Sequence, residues 1–280
     1  MVRVQRRFSA GAAGFTFERR RFLALGALAP IAAGVARAEA QPLSDAGTAH
    51  AFDPHRFAGR APQQWGTHLH GIHTHVATVP GRRTLALTFD GCGGPSGSAV
   101  DHRLLDTLRE FGIAATLFLN HRWLTANPAV AADLAADPLF RLENHGTSHM
   151  PLSVNGTAAY GIPGTTDPAD VVNEIETNRR YLRDTLGATS TWFRAGTAHY
   201  DDVAVEIAGL LGVRLAGFAV NADYGATASP DTVATHIRHA PDGAIILAHL
   251  NHPASGTAAG LRAALMTLRA EGVNFTHLAM

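Results

Sequence analysis

The chain has 280 residues, 46% of them apolar, with one cysteine and no lysine among its 23 basic residues. A single cysteine excludes an internal disulfide framework, so stability must come from a hydrophobic core, which a chain of this length can bury. The first forty residues hold seven arginines and two acidic residues, leaving 16 basic against 21 acidic residues and a charge near −5 beyond them. Such a surface excludes nucleic acid as the expected partner, because that binding needs clustered cations to neutralise phosphates.

Arg19, Arg20 and Arg21 precede Phe22, Leu23 and an uncharged apolar run ending at Val35. This is the layout of a signal peptide, and the arginines before Phe-Leu resemble a twin-arginine export signal. Ala36-Arg37-Ala38 and Ala38-Glu39-Ala40 both offer a small-x-small cleavage pattern. Read instead as an anchor, the run falls short of the roughly 20 residues that span a bilayer. Residues 1–40 are therefore assigned to a twin-arginine-type signal peptide. The mature chain is expected to be exported, periplasmic or extracellular, with no integral membrane segment.

Residues 41–82 read as an irregular lead-in, because Pro42, Pro54, Pro62 and Pro80 break any long helix. Trp65, Ile72 and Val76 are candidates to dock on the main domain, which is placed at 83–280. That domain alternates two kinds of segment. Strands are expected at 84–89, 113–119, 140–144, 191–194, 214–220, 244–248 and 274–278. Helices are expected at 101–111, 127–136, 168–186, 201–211, 229–238 and 257–271. Asp167-Pro168 and Ser229-Pro230 each place a capping residue before a first-turn proline. Seven apolar strands alternating with six helices point to an α/β class, with parallel strands in a closed or nearly closed barrel.

In such a barrel the reactive groups collect where strands end. Asp90 follows Leu-Ala-Leu-Thr-Phe, His145 follows Leu142-Glu143-Asn144, and Arg194 follows Thr-Trp-Phe. Asn221 and Asp223 follow Gly-Phe-Ala-Val, and His249 follows Ile-Ile-Leu-Ala. Gly91-Cys92-Gly93-Gly94-Pro95 after Asp90 is a loop that lets a ligand approach the backbone closely. His145 and His149 are four apart, which on a helical turn puts both imidazoles on one face, a spacing suited to two ligands of one metal. A second group, His68, His70, His73 and His75, reads either as a metal cluster or as one exposed strand. Cys92 reads either as a small buried residue or as a thiolate ligand.

Taken together, Thr-Phe-Asp90, the His145/His149 pair, Phe193-Arg194, Asn221-Ala-Asp223 and Leu247-Ala-His249 resemble, in order and spacing, the five motifs of the polysaccharide deacetylases, carbohydrate esterase family four. The resemblance spans about residues 84–278. It implies a distorted (β/α)7 TIM-like barrel and a divalent metal, usually zinc (Zn2+), held here by His145 and His149. It further implies Asp90 as the base, Arg194 orienting that base, Asp223 tuning the distal histidine, and His249 as general acid beside a groove at Leu247. The substrate implied is an N-acetylated polysaccharide or peptidoglycan amino sugar, which would release acetate. Tyr200 and Asn251 are expected to touch substrate, and backbone N–H groups around Thr197 to Tyr200 to assist at the oxyanion.

The chain departs from this pattern where Thr-Phe-Asp-Asp-Gly becomes Thr-Phe-Asp90-Gly91-Cys92, because Gly91 has no carboxylate to offer a metal. Three repairs are open, in order: Asp90 ligates the metal itself, a water completes the shell, or Cys92 reaches in. Arg194-Ala-Gly-Thr-Ala-His199-Tyr200 replaces the usual Arg-x-Pro-x-Gly. Two alternatives remain, a hydrolase of another small amide or ester, and a catalytically impaired carbohydrate-binding member of the fold.

Overall fold

The computed structural model describes residues 52–279. The expected signal peptide at 1–40 and the first part of the lead-in lie outside the described residues. The first half comprises β1 (Trp65–Gly66), β2 (Ile72–His73), β3 (Thr84–Gly91), α1 (His102–Phe111), β4 (Ala115–Leu119), α2 (His121–Ala126), α3 (Pro128–Ala136) and β5 (Phe140–Asn144). Next come α4 (Pro168–Leu186), β6 (Trp192–Phe193), β7 (Tyr200–Asp201), α5 (Asp202–Leu210) and β8 (Arg214–Ala216). The chain continues with β9 (Val220–Asn221), α6 (Pro230–Arg238), β10 (Ile245–His249), α7 (Thr257–Ala270) and β11 (Asn274–Phe275).

The main sheet runs in the order β2-β8-β6-β5-β4-β3-β10-β9, with β11 beside β3, and all its pairs are parallel. It curls into the distorted (β/α)7 barrel expected from the strand-helix alternation. The expected helices are present, and Asp167 and Ser229 cap α4 and α6 by accepting the N–H groups of Asp170 and Thr232. Helix α2 is an addition to that expectation; Asn120, directly after β4, starts it by accepting the Arg122 N–H. Among the described residues no helix is long and apolar enough to cross a membrane.

Two expectations are corrected. The lead-in is not merely irregular, because β2 joins the sheet beside β8, pairing Ile72 with Leu215 and His73 with Ala216. Just beyond it, Val76 donates to Gly243 and Ile245 donates to Thr74, so this segment stitches β8 to the start of β10 and draws the curl together. The strand expected at 214–220 is two strands. β8 pairs with β6, the chain leaves the ladder at Gly217, and β9 pairs with β10. Gly217 gives its N–H to His73 and its carbonyl to Arg194, so its hydrogen bonds point out of the β6 register.

Strand alternation sorts the side chains into an outer and an inner set. Leu85, Leu87, Phe89, Leu117, Leu119, Ile246 and Ala248 face the helices in one large core. Phe193 and Leu215 do the same in a second core with α4 and α5. The inward positions Ala86, Phe118, Trp192, Ala216 and Ile245 pack together with Leu278 and plug the barrel. Phe118 is completely buried there. Phe118→Ala is expected to cost about 3–5 kcal/mol of stability, read from the denaturant midpoint at unchanged slope; a loss below about 1 kcal/mol would show that the plug tolerates a cavity.

Candidate active site

The alternation that fills the barrel with Ala86 and Thr88 also turns Asp90 inward, level with His249 of β10 and Phe118 of β4 in the strand register. Asp90, His145, Arg194 and His249 therefore meet from four strand ends at the top of the plug, beside Phe118. Arg194 is completely buried. Its guanidinium donates to Asp90 Oδ1 at 2.7 Å, to Thr88 Oγ1 at 2.9 Å and to the Gly217 carbonyl at 3.0 Å, and lies 4.3 Å from the Phe118 ring centre. Burial opposes ionisation of Asp90, but Arg194, His145 and His249 outweigh it and hold the carboxyl below its usual range.

His145 and His149 meet as the sequence spacing suggested, with ring centres 4.7 Å apart, but not on a helix. The segment after β5 is a tight loop in which Gly146 and His149 have φ of 79° and 63°. Its organiser is Glu174 of α4, whose carboxylate accepts the N–H groups of Ser148 and Met150. A Cβ on Gly146 would collide with that carboxylate, so the loop requires glycine there on two counts. Burial pushes Glu174 up to about 7 despite these donors. Asn120 Nδ2 donates to the carbonyls of His145 and Gly146, and Asn178 links Leu119 to Asn144. His145 Nδ1 pairs with the Arg194 carbonyl at 2.8 Å, leaving Nε2 to face Asp90 Oδ2 at 3.5 Å.

Opposite this pair, His249 Nδ1 lies 2.9 Å from Asp223 Oδ1, and Asp223 Oδ2 accepts the His249 N–H and the Thr257 hydroxyl. Burial alone would depress the imidazole, but Asp223, with Cys92 beyond it, raises it well above the usual histidine range.

Asp90, Cys92, His149, Leu247, His249 and Asn221 line a cavity of about 470 Å³, within the ordinary range for a ligand site. Its rim carries two exposed tyrosines that sequence reasoning did not pick out, Tyr160 and Tyr224. Both have positive φ, 53° and 50°, as do Thr197 and Ala198 on the same wall. Non-glycine residues held in that region are a strain that clusters at functional sites.

Two expected substrate contacts are corrected. Tyr200 is completely buried, and its hydroxyl accepts the Ala195 N–H, so it braces the loop behind the site. Asn251 is likewise buried and donates to the Gly97 carbonyl, outside the cavity wall. Leu247 does line the cavity. Of the alternating histidines before β3, only His73 falls in a strand.

Among the described residues, the one trio of potential ligand atoms within 4.8 Å of one another is Cys92, His145 and His149. Asp90, ranked first among the repairs, is not in that trio, whereas Cys92, ranked last, is. The donor set suits a borderline-soft divalent ion. Burial opposes a thiolate at Cys92, but the imidazoles of His145, His149 and His249 bring it well below the usual cysteine range.

The polysaccharide deacetylase family model matches residues 77–216. No curated protein sequence matches. Among solved structures, a family 4 carbohydrate esterase from Streptomyces lividans in complex with acetate is 24% identical, with a TM-score of 0.57, over 70% of this chain and 93% of that one. Peptidoglycan deacetylase PdaC from Bacillus subtilis is 21% identical, with a TM-score of 0.55, over 71% and 90%. A CE4 family pseudoenzyme from Bacillus anthracis is 21% identical, with a TM-score of 0.57, over 71% of this chain but 65% of that one, just under two thirds of its length. At these identities the structural likeness establishes the fold, and the matched model, spanning half of the residues, establishes the rest: the chain belongs to the polysaccharide deacetylase family.

Proposed function

We propose that this protein is a metal-dependent hydrolase that removes N-acetyl groups from an exported polysaccharide or peptidoglycan amino sugar, releasing acetate. The observation that carries this reading is the meeting, in one cavity, of a carboxylate held by a buried guanidinium and an imidazole held by a buried carboxylate. Amide hydrolysis needs a proton acceptor for the attacking water and a proton donor for the leaving nitrogen. Asp90 and His249 fit these roles.

Arg194 occupies Asp90 Oδ1 at 2.7 Å, so Oδ2 is the oxygen left to take a proton from water. Asp223 occupies His249 Nδ1, so Nε2 is the nitrogen left to deliver a proton to the departing amine. His145 and His149 would hold the metal, which when bound supplies Lewis-acid polarisation of the acyl carbonyl and acidifies a nearby water. The product pair is acetate and a free amino sugar.

The rim favours a sugar over a small unspecific amide. Tyr160 and Tyr224 present flat, exposed faces beside the cavity, the kind of amphipathic surface on which a sugar ring packs. Tyr160 is held edge-on by His199, with ring centres 5.3 Å apart, and Tyr224 by His236 at 5.2 Å. Export is supported by the arginine-led apolar run at 19–35. The catalytically impaired alternative has only Gly91 in its favour, and it leaves the intact Asp90–Arg194 and Asp223–His249 pairs without a purpose.

Asp90→Asn is expected to cut acetate release about 10²–10⁴-fold and, by leaving the buried Arg194 guanidinium without its counter-charge, to cost up to about 3–5 kcal/mol of stability, so activity is compared under conditions in which both proteins are folded. The assay is acetate release from N-acetylated peptidoglycan and chitin-type oligomers; turnover like that of the parent chain would remove Asp90 as the base. Tyr160→Ala is expected to raise KM on oligomers by about tenfold, equivalent to roughly 1.4 kcal/mol, while leaving kcat within about twofold. An unchanged KM across oligomer lengths would rule out a sugar platform at Tyr160.

A further inference from the structure

Resting on the reading that a divalent ion binds at His145 and His149, we propose that Cys92 is its third protein ligand, a thiolate in place of the carboxylate that Gly91 lacks. Cys92 Sγ lies 3.8 Å from His145 Nε2, and the sulfur and the two imidazole nitrogens all fall within 4.8 Å of one another. Sulfur and nitrogen donors sharing a tetrahedral zinc sit roughly 3.4–3.7 Å apart, so small side-chain adjustments bring these three onto one ion.

Alternation along β3 explains why the ligand is two residues after Asp90 and not one. Asp90 points inward, so residue 91 points outward. A Cβ on Gly91 would meet Leu119 at 3.0 Å and Trp123 at 3.3 Å, on the apolar side of the strand. The next residue, Cys92, returns to the inner side. Gly93 then turns the chain with φ of 70°, at a place where a Cβ would run into the Arg122–Trp123 backbone. Arg122 Nη2 donates to the Cys92 carbonyl, and Gly93 N donates to the Gly97 carbonyl, which closes the loop.

Asp90 is half committed to Arg194 and reaches only one of the two imidazoles. Arg194 holds Oδ1, and although Oδ2 lies 3.5 Å from His145 Nε2, the carboxylate does not join the group in which Cys92 converges with both imidazoles. Binding at Cys92 releases the thiol proton to solvent and forms a sulfur–metal bond. One anionic sulfur with two neutral imidazoles carries the same charge as one carboxylate with two imidazoles, so the site's net charge is preserved. Its softness is not: a thiolate favours zinc or cobalt over magnesium or manganese.

Cys92 is the chain's one cysteine, so thiol chemistry reports on it alone. The test loads the full chain with Co2+ and, separately, with Zn2+. The expected result is about one equivalent of Co2+ with both visible ligand-field bands and a near-ultraviolet thiolate-to-cobalt charge-transfer band. Cys92→Ser should keep weakened binding and lose the charge-transfer band, and Zn2+ should slow alkylation of Cys92 about tenfold or more, reversed by a chelator. Ligand-field bands that disappear in His145→Ala, without a charge-transfer band and with alkylation indifferent to Zn2+, would overturn the role of Cys92 while leaving the metal in place. Failure of the parent chain to take up either ion would overturn the metal reading, and this inference with it.

Discussion

A guanidinium with no access to water organises the site. Breaking a buried ion pair by removing one partner costs about 3–5 kcal/mol, so the chain must satisfy Arg194 on every side. It does so with the Asp90 carboxylate, the Thr88 hydroxyl, the carbonyls of Ala216 and Gly217, and the face of Phe118. These partners come from β3, β4 and the end of β8 with the residue after it, while Arg194 itself directly follows β6. The break between β8 and β9 follows from the same need, because the Gly217 carbonyl serves the guanidinium instead of a neighbouring strand. The charge that keeps Asp90 ionised is thus also what ties the barrel's strand ends together.

The histidine side of the site rests on a different device. Its loop has no regular structure to satisfy its backbone, and Glu174 stands in for a strand by accepting the N–H groups of Ser148 and Met150. Glu174 and Asn178 lie on the buried stripe of α4, with Val171, Ile175 and Leu182. Two polar residues on an otherwise apolar stripe, followed by none on the next turn, were the legible sign that this helix face receives a polar loop. The four-residue spacing of His145 and His149 was legible too, though a helical turn was the wrong mechanism. Two left-handed residues bring the rings together, and nothing in a single sequence marks His149 as one of them.

The elements most readable in advance were those whose physics is local. Helix α4 begins and ends where its capping aspartate and Gly187 place it, and β5 spans the expected 140–144. What the sequence left obscure depends on distant partners. β2 is two residues long and becomes a strand because β8 offers an unpaired edge, and α2 has too short an apolar pattern to stand out. Tyr200 sits at the end of a motif stretch and has the chemistry of a sugar contact, yet Ala195 claims its hydroxyl. Whether a polar tip faces a ligand or a backbone amide is decided by tertiary packing, which periodicity does not encode.

The departure at Gly91 is part of a tight glycine-rich turn. A carboxylate at 91 would be aimed at Leu119 and Trp123, so this backbone has no use for one there. The four glycines at 91, 93, 94 and 97 instead let the chain fold back tightly after Asp90, with Gly97 pressed against the Gly93 carbonyl. That fold-back presents residue 92 on the same side of β3 as Asp90. Loss of catalysis would be expected to relax the other charged pairs as well, since buried charges are costly to keep without a purpose. Arg194 and Asp223 each keep a full set of hydrogen-bond partners, which favours the proposed change of ligand over a loss of activity.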